Sequence, residues 1–305
     1  MIKKKKILIV GGTGFIGFHL SLQCIKKNWQ VVSLSTKKPI WKRKIAKVKY
    51  LICDISSSKN IKKKIANFKF DYVVNLGGYV DHSNKSKVYK SHFIGCKNLA
   101  DFFRRKNIKS FIQMGTGLEY GNKPYLHNEL LDCKPKSIYA KSKYKASKYL
   151  LNLFIKKKFP ITILRLYQAY GPYQDPNRLI PSVIQSCLKE KKFACTNGNQ
   201  IRDFIYIDDL IRLFFLIFDN NQARGKIFNI GSGERVKIKN LIMKIVKLCK
   251  SGKPVYGSLK MRKDESLMMC PDMKLVKKIL KFKKKIALKK GLFKTIAYFK
   301  KNYSL

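Results

Sequence analysis

The chain has 305 residues, 45% of them hydrophobic, which is enough to bury a sizeable core and argues against disorder. No apolar run approaches bilayer length. The apolar stretch 7–10 behind the opening lysines is too short for a signal peptide, so a cytoplasmic protein with no membrane span is expected. Sixty-seven Lys and Arg against 17 Asp and Glu give a formal net charge of +50. That charge can mark attraction to a polyanion, or a surface drifted to lysine. The lysines are scattered in short runs (3–6, 62–64, 156–158, 283–285), with no single basic arm. The second reading is therefore preferred, and no nucleic-acid partner is expected, although such a charge helps gather anionic substrates.

In chain order, short β-branched runs alternate with helical periodicity. The pattern predicts strands at 7–10, 31–34, 48–53, 72–76, 110–114 and 161–166, and helices at about 15–28, 59–67, 86–106 and 138–157. Such alternation implies an α/β fold with a doubly wound parallel sheet covered on both faces. After Gly171 the pattern changes, and Pro172, Pro176 and Pro181 mark loops. The expected division is a dinucleotide-binding domain over 1–170 and a smaller α/β substrate-binding lobe over 171–305, interleaved with the end of the sheet. The eight cysteines form no C-x-x-C pair and no cluster with zinc spacing. They read as reduced, mostly buried thiols, and no metal site is expected.

The segment GGTGFIG sets Gly11, Gly14 and Gly17 between the first strand and the first helix. Glycines there tighten the turn and let a pyrophosphate approach the backbone, while the helix N-terminus offers its free N–H groups. The second strand ends in Ser35-Thr36-Lys37-Lys38, where a carboxylate would otherwise hold a ribose 2′-hydroxyl. Hydroxyls and ammonium groups suit a 2′-phosphate, so NADP(H) is favoured, with NAD(H) possible. Asp54 is either an adenine partner or a simple turn residue.

Tyr139 and Lys143 form Tyr-x-x-x-Lys on one face of the helix over 138–157. An ammonium about 4 Å from the phenol can supply the ~4 kcal/mol needed to lower a tyrosine by roughly three pKa units. The pair can then move a proton while a cofactor exchanges hydride. Thr116, just past the strand at 110–114, offers a hydroxyl to the reacting oxygen.

GGTGFIG, GTGLEYG (115–121), YAKSK (139–143) and RLYQAYGP (165–172) together resemble the extended short-chain dehydrogenase/reductase family. Within it they resemble the NAD-dependent epimerase/dehydratase group acting on nucleotide sugars, over nearly the whole chain. The resemblance implies a Rossmann-type fold, a catalytic trio of Thr116, Tyr139 and Lys143, and Lys143 on the nicotinamide ribose. It implies that Thr13, Phe15, Ile16, Ile55, Leu76, Gly77 and Gly78 join the glycines, Ser35, Thr36, Lys37 and Asp54 around the cofactor. It places a nucleotide-diphosphate sugar against His82, His92, Gln168, Arg178, Arg202 and Arg262. Arg202 and Arg262 lie in QIRDF and RKDE, segments whose arginines grip the diphosphate; an Arg202–Asp203 surface ion pair is the alternative. His92 is either a proton relay or a hydrogen-bonded structural histidine. His19 and His127 carry no usable signal.

Dehydratases of the group place Asp-Glu directly after the threonine, where this chain has Gly117 and Leu118, so loss of water is not expected. QIRDF and RKDE are most similar to 4-ketoreductases of the CDP-abequose synthase type, which reduce a nucleotide-linked 4-keto-6-deoxy sugar. A sugar 4-epimerase with retained NAD is the competing reading, and a polyanion-binding protein on this scaffold is the remote one. The family also implies a homodimer through the helices around 86–106 and 138–157, with Leu150, Leu151, Phe154 and Ile155 as apolar contacts.

Overall fold

The computed structural model describes residues 4–302 except 80, 82, 124–125 and 262–264. Strand β1 (Lys6–Val10) leads through the glycine turn into α1 (Phe15–Lys26), followed by β2 (Gln30–Ser35), β3 (Val48–Ile52), α2 (Ser58–Ile65) and β4 (Tyr72–Asn75). The stretch expected to be one helix over 86–106 is α3 (Lys85–Tyr89), a π turn (Lys90–Ile94) and α4 (Gly95–Phe103). The widened turn holds His92, which is buried. Then come β5 (Ser110–Thr116), α5 (Ile138–Lys157) and β6 (Ile161–Leu166). Strand β5 runs two residues further than its apolar pattern indicated, so Thr116 ends the strand instead of following it.

The second half contributes β7 (Gln168–Tyr170), α6 (Leu179–Leu188), β8 (Lys192–Ala194), β9 (Ile201–Arg202), β10 (Phe204–Tyr206), α7 (Ile207–Ile217) and β11 (Lys226–Ile230). It ends with β12 (Val236–Lys237), α8 (Ile238–Cys249), β13 (Lys253–Val255), β14 (Met268–Met269), α9 (Lys274–Leu280) and α10 (Leu288–Asn302).

Seven strands form one parallel sheet in the order β11-β6-β5-β4-β1-β2-β3. The order reverses between β1 and β4, and the crevice at the carboxyl ends of the strands there is where ligands of such sheets bind. Both faces are apolar, as a covered parallel sheet requires. Leu8, Val10, Val73 and Phe111 pack with Leu99 and Leu150 on one side. Ile7, Ile9, Val74 and Ile112 join Phe214, Ile184 and Phe299 on the other, in one cluster continuous with the C-terminal helices. Burial of this size is the main favourable term, at ~25 cal/mol per Å² of apolar surface. Seven cysteines are buried, Cys133 is partly buried, and all eight are free thiols. Among the described residues no helix is long and apolar enough to cross a membrane.

Candidate functional site

The turn after β1 leaves no room for side chains at Gly11, Gly12 and Gly17. Gly11 has φ +77°, and a Cβ there would lie 2.9 Å from the Gly77 nitrogen. A Cβ on Gly17 would run into the Gly11 carbonyl, so the helix and turn touch backbone to backbone. Gly14 caps α1 without any side-chain hydrogen bond, and its N–H donates to Gly11 O at 3.0 Å. The first-turn N–H groups of α1 therefore keep no side-chain acceptor, which fits a pyrophosphate. Phe15 and Ile16 open that turn, partly buried. The Thr13 N–H donates to Ser35 Oγ at 3.4 Å, tying the end of β2 to the glycines, while Thr36, Lys37 and Lys38 are exposed.

Asp54 is exposed and accepts the Ser56 N–H at 2.8 Å, the bond of a turn residue. Ile55 is buried behind it, its carbonyl held by the Asn98 amide at 3.1 Å. On the facing side, Leu76 and Gly77 continue from β4, and the Gly77 N–H donates to Asn75 Oδ1 at 3.1 Å. Gly78 lies against the His92 ring so closely that a Cβ would overlap it.

The catalytic candidates converge where β5 ends over α5. Thr116 accepts the Leu118 N–H at 3.3 Å and its own N–H donates to Glu119 Oε1 at 3.0 Å, a reciprocal capping box. Lys143 is 4% exposed and its Nζ donates to the Met114 carbonyl at 2.8 Å. Nζ lies 6.0 Å from the Tyr139 ring centroid, and the His92 ring meets Tyr139 edge-on with centroids 4.9 Å apart.

The electrostatics differ from the sequence expectation of a tyrosine depressed by its lysine. Burial, and after it the Glu119 carboxylate, push the Tyr139 phenol up to about 12, against weaker pulls from Thr116 and Arg178. Burial pulls the Lys143 ammonium down to about 8, partly opposed by Cys96 and Glu119. Desolvation outweighs the pairing because both groups sit in the crevice wall. Tyr139 is thus held as a phenol, an acid with a proton to give.

Of the expected substrate residues, Gln168 is exposed at the start of β7. Arg178 is exposed at the N-terminus of α6, near enough to act on Tyr139. His92 is buried, with Nε2 3.1 Å from the Tyr79 carbonyl, so it is anchored and also touches Tyr139. Arg202 is 7% exposed and paired with Glu265 at 2.8 Å, and it donates to the carbonyls of Ile201 and Leu267. The Arg202–Asp203 pair considered from sequence does not form. Asp203 instead accepts the N–H groups of Ser232 and Gly233, the latter at 2.7 Å. His82 and Arg262 lie outside the described residues.

Sequence reasoning passed over three features. Glu119 is fully buried, paired with Arg165 at 3.0 Å and accepting from Ser147 at 3.0 Å. Its signal was present as Thr-x-x-Glu, the capping-box spacing, at 116–119. Buried His127 sits 2.8 Å from the Tyr167 hydroxyl, and its carbonyl accepts from Asn229 at 2.8 Å. Arg43 pairs with Asp175 at 2.7 Å and, with His19 on the Pro172 carbonyl at 2.9 Å, clamps the loop ahead of Arg178. No local spacing announces those last two. The Tyr167 ring also explains Gly117: a Cβ there would lie 2.8 Å from it, so an Asp would have to displace the ring.

The fold is Rossmann-type, a parallel sheet with helices on both faces and a glycine turn at the switch in strand order. Residues 7–231 match the model of the NAD dependent epimerase/dehydratase family, and the chain belongs to that family. It is 28% identical to a dTDP-D-glucose 4,6-dehydratase of Dictyostelium discoideum, over 80% of this chain but only 62% of that protein. It is 28% identical to a putative UDP-glucose 4-epimerase of Methanocaldococcus jannaschii, over 97% of this chain and 99% of that one. The structure of UDP-glucuronic acid 4-epimerase from Bacillus cereus, in complex with UDP-glucuronic acid and NAD, superposes with a TM-score of 0.86. It is 25% identical, and the match covers 97% of this chain and 99% of that one.

Proposed function

We propose that this enzyme reduces a nucleotide-linked 4-keto-6-deoxy sugar, with Thr116, Tyr139 and Lys143 as its catalytic residues. The observation that carries the reading is geometric: Tyr139 and the buried Lys143 share one face of α5, the Lys143 Nζ 6.0 Å from the Tyr139 ring centroid, at the strand end that presents Thr116. A dinucleotide bound on the glycine turn supplies the hydride. The α1 N-terminus, with Gly11, Thr13, Gly14, Phe15, Ile16 and Gly17, holds its pyrophosphate. Ile55, Leu76, Gly77 and Gly78 flank it, with Asp54 at the adenine end. Ser35, Thr36 and Lys37 face the ribose 2′ position, which favours NADP(H) over NAD(H). Thr116 and Tyr139 hydrogen-bond the ketone oxygen, and Tyr139 gives its proton as the oxygen gains charge. Lys143 holds the nicotinamide ribose and steadies the resulting phenolate. His92 and Gln168 line the sugar. Arg202 and Arg262 serve the diphosphate end, Arg202 through a guanidinium already fixed by Glu265, and Arg178 and His82 complete the substrate site. The Tyr167 ring over Gly117 stands against dehydration chemistry.

The second reading is a sugar 4-epimerase using the same residues with a retained NAD, favoured by the full-length similarity to epimerases. The cofactor content of the purified protein, followed by NADPH and NADH titration, separates the two. Loose binding with preference for NADPH is expected; tightly retained NAD would turn the assignment to the epimerase.

We also propose a homodimer in the cytoplasm, built on α3–α5. Leu150 cannot serve that interface, because it is fully buried in the chain's own core. Leu151 and Phe154 are partly buried against the same core, and Ile155 is 68% exposed. A monomeric mass in solution would refute the dimer.

A further inference from the structure

Glu119 occupies a position that no catalytic role requires, yet everything in the layer leads to it. Its Oε1 accepts the Thr116 N–H at 3.0 Å. Its Oε2 accepts the Ser147 hydroxyl at 3.0 Å, one helical turn beyond Lys143 on α5, and Arg165 Nε on β6 at 3.0 Å. Glu119 is 0% and Arg165 2% exposed, and the Arg165 guanidinium stacks over the Tyr120 ring at 4.5 Å. The space in front of Oε1 belongs to Gly115, where a Cβ would lie 2.6 Å from that oxygen. A buried carboxylate with this many donors is rigid, because each bond broken strands a charge without water.

We propose that Glu119 is the positioning residue of the catalytic layer. One buried carboxylate fixes the Thr116 backbone to α5 and β6 and keeps a negative charge behind Thr116, Tyr139 and Lys143. The proposal rests on the roles given above to those three residues. The charge acts on both ionisable members in the same sense. It favours the Lys143 ammonium and disfavours the Tyr139 phenolate, so each group keeps its proton. The other groups facing Lys143 are the Tyr139 ring, the Met114 carbonyl and Cys96. Burial pushes the Cys96 thiol up to about 12, so it is neutral at physiological pH. Tyr139 is faced also by Thr116, Arg178 and the His92 ring. Glu119 itself is faced by Arg165 and Cys133, and Tyr120 and Cys133 act in turn on Arg165.

The test is the titration of Lys143, followed by magnetic resonance of protein labelled with ¹³C at the lysine ε-carbons. The Lys143 resonance is assigned by its loss in Lys143→Met. It stands apart because burial brings Lys143 to about 8, whereas exposed lysines titrate near ~10.4. Glu119→Gln keeps the shape and removes the charge. Because it strands Arg165, the double variant Glu119→Gln/Arg165→Met is measured beside it, with circular dichroism confirming the fold. The expected result is a lower Lys143 midpoint in Glu119→Gln, and a smaller fall in the double variant, which removes the Arg165 cation along with the carboxylate. In folded Glu119→Gln an unchanged midpoint would overturn the proposal and leave Glu119 a packing residue. The titration needs no substrate, so if no nucleotide sugar turns over, the proposed function fails while this result still decides the role of Glu119.

Discussion

The glycine turn after β1 and the layer behind Thr116 lie at the same end of one sheet, and they are built by opposite means. The turn works through its glycines: Gly11 and Gly17 bring backbone against backbone, and Gly14 caps the helix without a side chain. The layer works by burying charge: Glu119, Arg165 and Lys143 are all nearly inaccessible, each satisfied by a named partner. The turn thus fails when atoms are added, and the layer fails when a charge is removed.

The sharpest break of the layer is chemical. Tyr139→Phe should lower turnover ~10²–10⁴-fold, the usual range for a proton donor, while dinucleotide affinity measured by titration stays near that of the parent. A parent-like rate would remove Tyr139 from the mechanism. Next is the structural break. Arg165→Met strands the Glu119 carboxylate and should cost ~3–5 kcal/mol in denaturant unfolding. A change under ~1 kcal/mol would mean that the pair is not held buried in solution.

For the turn, Gly11→Ala adds a methyl 2.9 Å from the Gly77 nitrogen at a positive φ. The strain, ~1–3 kcal/mol, should appear as weaker dinucleotide binding and a lower melting temperature, with the remaining turnover keeping the parent's pH profile. A shifted profile would show that the two regions are not separable.

Beneath the layer, His127 gives the pH dependence. Burial holds its imidazole at about 4 in the fold, against an ordinary 6.5. Between those values the unfolded chain binds the extra proton, so stability is lost as pH falls through that window. The melting temperature should drop on acidification from about 6.5 to about 4, and His127→Asn should flatten the drop. The smallest effect belongs to the rim. Lys37→Glu with Lys38→Glu should reduce the preference for NADPH over NADH ~10-fold, read from the two dissociation constants.

The same contrast explains what could be read from the sequence. The parallel sheet was legible because its strands are apolar on both faces, and the glycine turn because its spacing is local. Tyr139 and Lys143 were legible as an i, i+4 pair, but their electrostatics were not. Burial at the crevice reversed the expected sign on Tyr139, and burial is a property of neighbours far along the chain. Glu119 reaches Ser147 across 28 residues and Arg165 across 46, so only its capping-box half was visible locally. The π turn around His92 likewise left no mark in a pattern that reads as continuous helix.

On the proposed function, hydride goes from the cofactor to a keto carbon while Tyr139 protonates the oxygen. The most direct measurement incubates the protein with NADPH carrying deuterium at the reactive carbon and a nucleotide-linked 4-keto-6-deoxy sugar. Net NADPH oxidation, with one deuterium found at C4 of the sugar product per cofactor oxidised, is the expected result. Turnover of a 4-hydroxy nucleotide sugar with no net oxidation and no deuterium in the product would contradict it.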